Sequence, residues 1–231
     1  AMLDCLVGSE MCIRDRLSSL SSLHGLEPVS FIAYFFSGDG AWQNTSMVQK
    51  IINYNPSDYP FHQWAKEVLG VNNLEEIHLS EDAKRLNSSP TSNQLSKAFG
   101  AISLIYKSFV LDVLGKEFGG IASYQAPPSF RFHYCGLGSS VFHRDRDFGV
   151  KQGRVNVWIP LTEVWGENSL WIESKTNSGE YQPINLKPGQ ALIFDGVNLG
   201  HGSKINTTSS SRISFDFRFL PGQGPAIPEP Y

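Results

Sequence analysis

Between residues 130 and 219 no helical apolar period is sustained; the chain breaks into short β-like runs at 130–135, 155–159, 169–173, 182–186, 191–194 and 212–219, each followed by turn residues. Runs of this length suit strands and are too short for ordinary helices. Such strands cannot bury themselves singly, so they must stack or close on one another, and the spacing predicts a mainly β sandwich or closed barrel. The last run alternates strictly. Ile213, Phe215, Phe217 and Phe219 share one face, and Arg212, Ser214, Asp216 and Arg218 the other.

Composition agrees with a turn-rich β body: 15 Phe, 8 Tyr, 5 Trp and 21 Gly stand among 231 residues. With 19 Lys+Arg against 22 Asp+Glu the net charge is −3, which supplies no basic footprint, so no nucleic-acid or anionic-membrane partner is expected. No stretch approaches the roughly 18–20 uninterrupted apolar residues of a membrane span. Cys5, Cys12 and Cys135 form an odd set with no CxxC pair, which fits a reducing compartment; a soluble, cytoplasmic protein is the expectation. Asn-x-Ser/Thr sequons at Asn44, Asn87 and Asn206 carry little weight without an export signal.

Residues 1–16 do not read like the rest; the run from Val7 to Arg16 resembles translated sequencing-adapter DNA, and a non-native or disordered leader is expected there. Residues 17–231 are read as one domain, in which 17–120 carry an N-terminal strand and a helical part, 121–220 the β core, and 221–231 an irregular tail. The strand is placed at 29–36, closed by Ser37-Gly38-Asp39-Gly40. The clearest helix is predicted over 93–118, where Leu95, Phe99, Ile102, Ile105, Phe109 and Val113 recur at helical spacing and Gly119-Gly120 supplies the stop. Its single apolar stripe must pack on something larger.

The chemistry-bearing fragment is Val141-Phe142-His143-Arg144-Asp145-Arg146-Asp147. On extended backbone His143 and Asp145 point the same way and can grip one ion, and His201, after the run 191–194, can return from a neighbouring strand to complete two imidazoles and one carboxylate. Three ligands on one octahedral face leave three positions open, an arrangement suited to ferrous iron that also binds a chelating cosubstrate and dioxygen; structural zinc would call for four protein ligands. Asp147 is a possible decoy carboxylate on the same loop.

Eleven positions past His201 stands Arg212, with Ser214 two further on. A planar guanidinium and a hydroxyl on one strand face can hold the distal carboxylate of a dicarboxylate. The competing reading is a solvent-facing polar strand in which Arg212 pairs with Asp216. Asn156 is a candidate donor to the cosubstrate or substrate, with a backbone-satisfying amide as the alternative; Arg131 and His133, alternating with Phe130 and Phe132, are candidates for substrate contact or for purely structural roles. Trp158, Trp165 and Trp171 are left as core residues.

The pattern His143-x-Asp145, His201, Arg212-x-Ser214 resembles that of the iron(II)- and 2-oxoglutarate-dependent dioxygenases of the phytanoyl-CoA dioxygenase-like superfamily. The stretches 155–162, 167–173 and 194–196 are similar to the branch of that superfamily containing a streptomycin-biosynthesis hydroxylase; the likeness covers roughly residues 130–220. It implies a double-stranded β-helix (jelly-roll, cupin-like) with the helical part packed on it. It also implies His143, Asp145 and His201 as catalytic metal ligands and Arg212 with Ser214 as the 2-oxoglutarate anchor. The cofactors implied are Fe(2+), 2-oxoglutarate and O2. The activity implied is hydroxylation of a small polar metabolite with release of succinate and CO2. Aspartate at 145, where a halogenase would vacate a ligand position, disfavours halogenation. Two other classes compete: a non-catalytic cupin-like metal- or ligand-binding protein, and a zinc hydrolase, which leaves Arg212 and Ser214 unexplained.

Overall fold

A computed structural model describes residues 49–89 and 92–230. The leader at 1–16, the strand expected at 29–36, Cys5, Cys12 and the Asn44 sequon lie outside the described residues.

The described chain begins with β1 (Gln49–Asn53) and continues through helices α1 (Phe61–Leu69), α2 (Glu81–Leu86) and α3 (Gln94–Ala98). Local chemistry sets their ends. Gly70 closes α1 in the left-handed region at φ 64°, Ser80 caps α2 by accepting from the Ala83 amide, and Asn93 caps α3 through Ser96. Asn93 also donates to the carbonyl of Phe130, which ties α3 to the sheet. The single helix predicted over 93–118 is broken: Gln94–Ala101 and Ser103–Phe118 are bent by 80°. A tight turn at Phe99–Ala101 around Gly100 makes the corner, α4 (Ser103–Ser108) follows, Phe109–Leu114 widen into π-helical turns, and α5 (Gly115–Phe118) ends at Gly119. The bend serves packing, since Phe99 lies against Phe130 while Tyr106 lies against Phe217. Among the described residues no single helix is long and apolar enough to cross a membrane.

The β strands are β2 (Ile121–Gln125), β3 (Ser129–His133), β4 (Val155–Pro160), β5 (Trp171–Glu173), β6 (Tyr181–Pro183), β7 (Gln190–Phe194), β8 (His201–Gly202), β9 (Arg212–Pro221) and β10 (Ile227–Glu229). Seven form one sheet in the order β1-β7-β4-β9-β2-β10, with β3 beside β9, and three form a second in the order β6-β5-β8. Every pairing is antiparallel except β10 with β2. Trp158, Leu192 and Phe194 of the large sheet meet Ile172 of the small one in a buried cluster with Val164, Leu170, Leu186 and Leu199, so the two sheets share a core. The fold is β-rich, as the strand spacing predicts.

Two expectations need correction. The tail at 221–231 is not wholly irregular: β9 runs to Pro221, and β10 adds at the sheet edge, where Pro228 is tolerated because an edge strand has a side free of ladder bonds. The runs at 169–173 and 182–186 shorten to β5 and β6, because Asn168 and Ser169 are buried in the preceding turn and Leu186 pairs only with Val164.

Strand β9 organises the molecule. Its apolar face receives the helices edge-on: Phe61 on Phe215, Tyr106 on Phe217 and Phe118 on Phe219, with ring centroids 4.9–5.2 Å apart. Edge-to-face pairs contribute about 0.5–1.5 kcal/mol each beyond the area they bury. The opposite face is consequently free for polar work.

Candidate metal centre

His143 and His201 exchange two backbone hydrogen bonds, N–H of His143 to O of His201 at 3.0 Å and the reverse at 2.9 Å. Asp145 is fixed one step on, its amide donating to the Gly196 carbonyl at 2.9 Å. The backbone at Arg144 is extended, but the expected strand stops there and Asp145 opens a one-turn 3-10 helix closed by Gly149 at φ 82°. His143 and Asp145 therefore still face the same way, although by a strand end running into a turn rather than by a continuous strand.

One ligand atom from each of His143, Asp145 and His201 lies within 4.8 Å of the others. Asp145 Oδ1 is 3.5 Å from Nε2 of His143 and 3.7 Å from Nε2 of His201, each less than twice a metal–ligand length of about 2.1 Å, so one ion can touch all three. Both rings are aimed by the same device. Nδ1–H of His143 donates to the Val141 carbonyl at 2.8 Å, and that of His201 to Leu199 at 3.0 Å, which leaves each Nε2 as the basic nitrogen facing Asp145.

Asp145 is 1% exposed, and its second oxygen is taken. Asn156 Nδ2 donates to Oδ2 at 2.7 Å and Arg218 Nε at 2.6 Å, which turns Oδ1 toward the histidines. These two clamps are directly opposite each other in the β4–β9 ladder. Gly196 makes room for the first, since a Cβ there would lie 2.5 Å from Asn156 Nδ2. Burial acts to raise the Asp145 pKa, but the bond that the protonated His143 ring can make and that from Arg218 outweigh it and hold the carboxyl far below its usual range. The Asp145 bond raises His143 above the ordinary imidazole value, whereas burial lowers His201. Asp147 stays outside the group; its carboxylate accepts the Arg144 amide.

An ion pair between a buried carboxylate and a part-exposed arginine braces the three segments. Glu173, fully buried on β5, accepts the amides of Gly179 and Gly200 at 2.9 Å each, and Arg144 Nη2 at 3.1 and 2.9 Å. Arg144 lies between two candidate ligands and Gly200 precedes the third, so Glu173 connects both sides of the site.

Beside the triad is an inner pocket of about 30 Å³, with Arg212 and Trp158 in its lining. Arg212 is 1% exposed, donates to the Asn168 carbonyl and to Ser203 Oγ at 3.2 Å each, and has no carboxylate within ion-pair distance among the described residues. Burial, reinforced by nearby Arg131, brings its pKa down to about 9, still cationic at neutral pH. Arg212 Nε, Ser214 Oγ, Asn168 Nδ2 and Asn156 Oδ1 are buried and lack partners. Buried orphan polar atoms are rare and call for an explanation; the chemistry of Arg212 Nε, on a residue lining the inner pocket, fits a carboxylate ligand, whereas Ser214 does not line that pocket. The polar face of β9 is thus inward, and Arg212 does not pair with Asp216. An open cleft of about 790 Å³ also borders the triad, lined in part by Arg131, His143, Asp145 and Arg218.

The remaining expected residues divide. Arg131 reaches both spaces but is engaged with Asp216. His133 does not line either. It is fully buried, Nδ1 3.2 Å from the Asn168 carbonyl and Nε2 2.9 Å from that of Leu137, with its pKa lowered to about 4 by burial and Arg212. Its expected substrate contact gives way to a structural position, because both ring nitrogens face backbone. Asn156 donates its amide to Asp145, and the residue also lines the inner pocket. The sequence reading missed Arg218 and Glu173 as functional neighbours. Arg218 was visible as the fourth member of the alternating polar row; Glu173 gave no signal of its own.

The chain is 34% identical over 176 residues to the streptomycin biosynthesis protein StrG of Streptomyces griseus, an alignment spanning 74% of this chain and 83% of that protein. Among solved structures it is similar to the apo form of a non-heme monooxygenase, ThoJ, with a TM-score of 0.51, 14% identity, and coverage of 78% of this chain and 83% of that one. For the ThoJ nickel complex the TM-score is 0.49 at 17% identity, covering 74% and 73%. At 14% identity the likeness to the apo form is one of fold. No protein-family model matches the chain.

Proposed function

The chain belongs to the family of the streptomycin biosynthesis protein StrG, and on that premise we propose that it is an iron(II)- and 2-oxoglutarate-dependent oxygenase on a double-stranded β-helix. Its reaction is hydroxylation of a small polar metabolite, with release of succinate and CO2. The observation that carries the reading is a pair: two Nε2 atoms and Asp145 Oδ1 facing one point, beside a buried guanidinium with no carboxylate partner. A zinc hydrolase or a plain metal-binding module has no use for the second element. The non-heme monooxygenase assignment of ThoJ, whose fold this chain resembles, points the same way.

His143, Asp145 and His201 would hold the iron, which together with 2-oxoglutarate and O2 supplies the oxidising equivalents for inserting one oxygen atom into a substrate C–H bond. The chain's own residues do the rest. Val141 and Leu199 carbonyls fix the imidazole tautomers. Arg218 and Asn156 hold Asp145 ionised and aimed. Arg212, with Ser214 next on the same strand face, would hold the distal carboxylate of the keto acid, and Trp158, with the Arg212 guanidinium 5.7 Å from its ring centroid, would supply an apolar wall. The open cleft bordering His143 and Asp145 would admit the substrate.

Anaerobic titration with ferrous iron and 2-oxoglutarate tests the reading. A saturable visible charge-transfer band is expected, along with succinate release on admitting O2. Arg212→Ala should weaken 2-oxoglutarate binding by about 100-fold, the loss of one buried charge-assisted contact. No band at saturating ligand, or unchanged binding in Arg212→Ala, would make the assignment wrong.

A further inference from the structure

The inward face of β9 carries Arg212, Ser214, Asp216 and Arg218, and its charges are matched selectively. Arg218 is committed to Asp145. Asp216 is gripped on both oxygens by Arg131 of β3, Nε to Oδ1 with Nη2 3.4 Å from Oδ2, the pair being 26% and 17% exposed. Arg131 stands opposite Ser214 in register, so it reaches Asp216 along the diagonal of the ladder. Three guanidiniums (Arg131, Arg212, Arg218) stand against two carboxylates (Asp145, Asp216), and the one positive charge left over falls on Arg212. Asp216 and Arg131 both line the inner pocket, and Arg131 also lines the outer cleft.

Resting on the function proposed above, we infer that Arg131 is a specificity-determining residue for the keto acid: it cancels the charge of Asp216 so that a dianion can lie along the β9 face. A keto acid anchored at Arg212 and Ser214 must extend toward the His143–Asp145–His201 group. Asp216 is the next inward residue after Ser214, about 7 Å further along the strand. An uncancelled carboxylate there repels the ligand and draws on the positive field of Arg212, to which Asp216 is already electrostatically coupled. Arg131 is thereby a charge-balancing residue of the cosubstrate pocket, a role separate from the direct substrate contact its position in the sequence suggests.

The test is a double-variant cycle on the full chain loaded anaerobically with ferrous iron, with 2-oxoglutarate titrated to the charge-transfer band and iron affinity measured separately by chelator competition. Arg131→Gln should weaken 2-oxoglutarate binding at least about tenfold, Asp216→Asn should leave it no weaker than wild type because the freed Arg131 charge favours a dianion, and the double variant should recover to within about threefold. Iron affinity should stay within about threefold throughout. Unchanged 2-oxoglutarate binding in Arg131→Gln, no recovery in the double variant, or an equal loss of iron would each overturn the inference. If Arg131→Gln alone fails to fold, the double variant decides, and binding weakened about tenfold there counts against the inference. Absence of the band in wild type would remove the proposed function and this inference together; a normal wild-type band with an unaffected Arg131→Gln removes the inference alone.

Discussion

Arg218→Met isolates the clamp on Asp145. Methionine keeps an unbranched stem but deletes the guanidinium that donates to Asp145 Oδ2 at 2.6 Å, leaving a carboxylate that is 1% exposed with Asn156 as its remaining donor on that oxygen. Removing one partner of a buried ion pair costs about 3–5 kcal/mol. The Arg218 side chain is 14% exposed and one donor survives, so the low end applies, about 3 kcal/mol at pH 7. For a chain of this size that lowers Tm by about 6–12 °C. The sign with pH follows from the direction of the Asp145 shift. A carboxyl held below its unfolded value of about 4 adds stability above that value and loses it as pH falls through the folded one. The gap between wild type and variant should therefore be full at pH 7 and begin to narrow only as pH falls below about 4. Urea unfolding of the ion-free proteins at pH 7 and pH 3.5 (the latter set at about half a unit below the unfolded value) measures both points. Equal midpoints at pH 7, or a gap that does not shrink in acid, would refute the electrostatic account of the clamp.

Gly196→Ala should push Asn156 off Asp145, since the new methyl lies 2.5 Å from Asn156 Nδ2; iron affinity by chelator competition should fall about 10–100-fold. Iron affinity should also fall with pH, by up to about tenfold per unit, once the raised pKa of His143 is passed from above. The protonated ring stabilises the ion-free fold below the unfolded imidazole value and that contribution fades as pH rises through the folded value, so calorimetric stability and metal loading should move in opposite senses across this window. Glu173→Gln leaves Arg144 facing a neutral partner and should destabilise by about 2–3 kcal/mol at pH 7. Burial opposes ionisation of Glu173, but the Gly179 and Gly200 amides with Arg144 bring its pKa down to about 2, so the wild-type advantage should vanish in chemical denaturation as pH drops from about 4.5 toward that value.

What could be read from the amino-acid order is what short-range geometry determines. Period-two alternation in 212–219 correctly divides β9 into a face for the helices and a face for polar groups, because strand side chains alternate whatever the surroundings. His143 and Asp145 share a direction for the same reason. Long-range register is not legible in this way. Asn156 and Arg218 converge on one oxygen only because β4 and β9 align them as direct partners, and residues 62 positions apart carry no local mark of that pairing. The choice left open for His133 is not legible locally, because alternation gives the side of a strand, while the Asn168 and Leu137 carbonyls that face its nitrogens come from outside it. The helix at 93–118 kept its apolar stripe but not its straightness, since its two arms answer to different parts of the sheet.

The reciprocal backbone bonds between His143 and His201 make two remote stretches of polypeptide one mechanical piece. Because folding itself performs that assembly, an incoming cation meets a finished socket, and little further loss of chain freedom is charged to its capture.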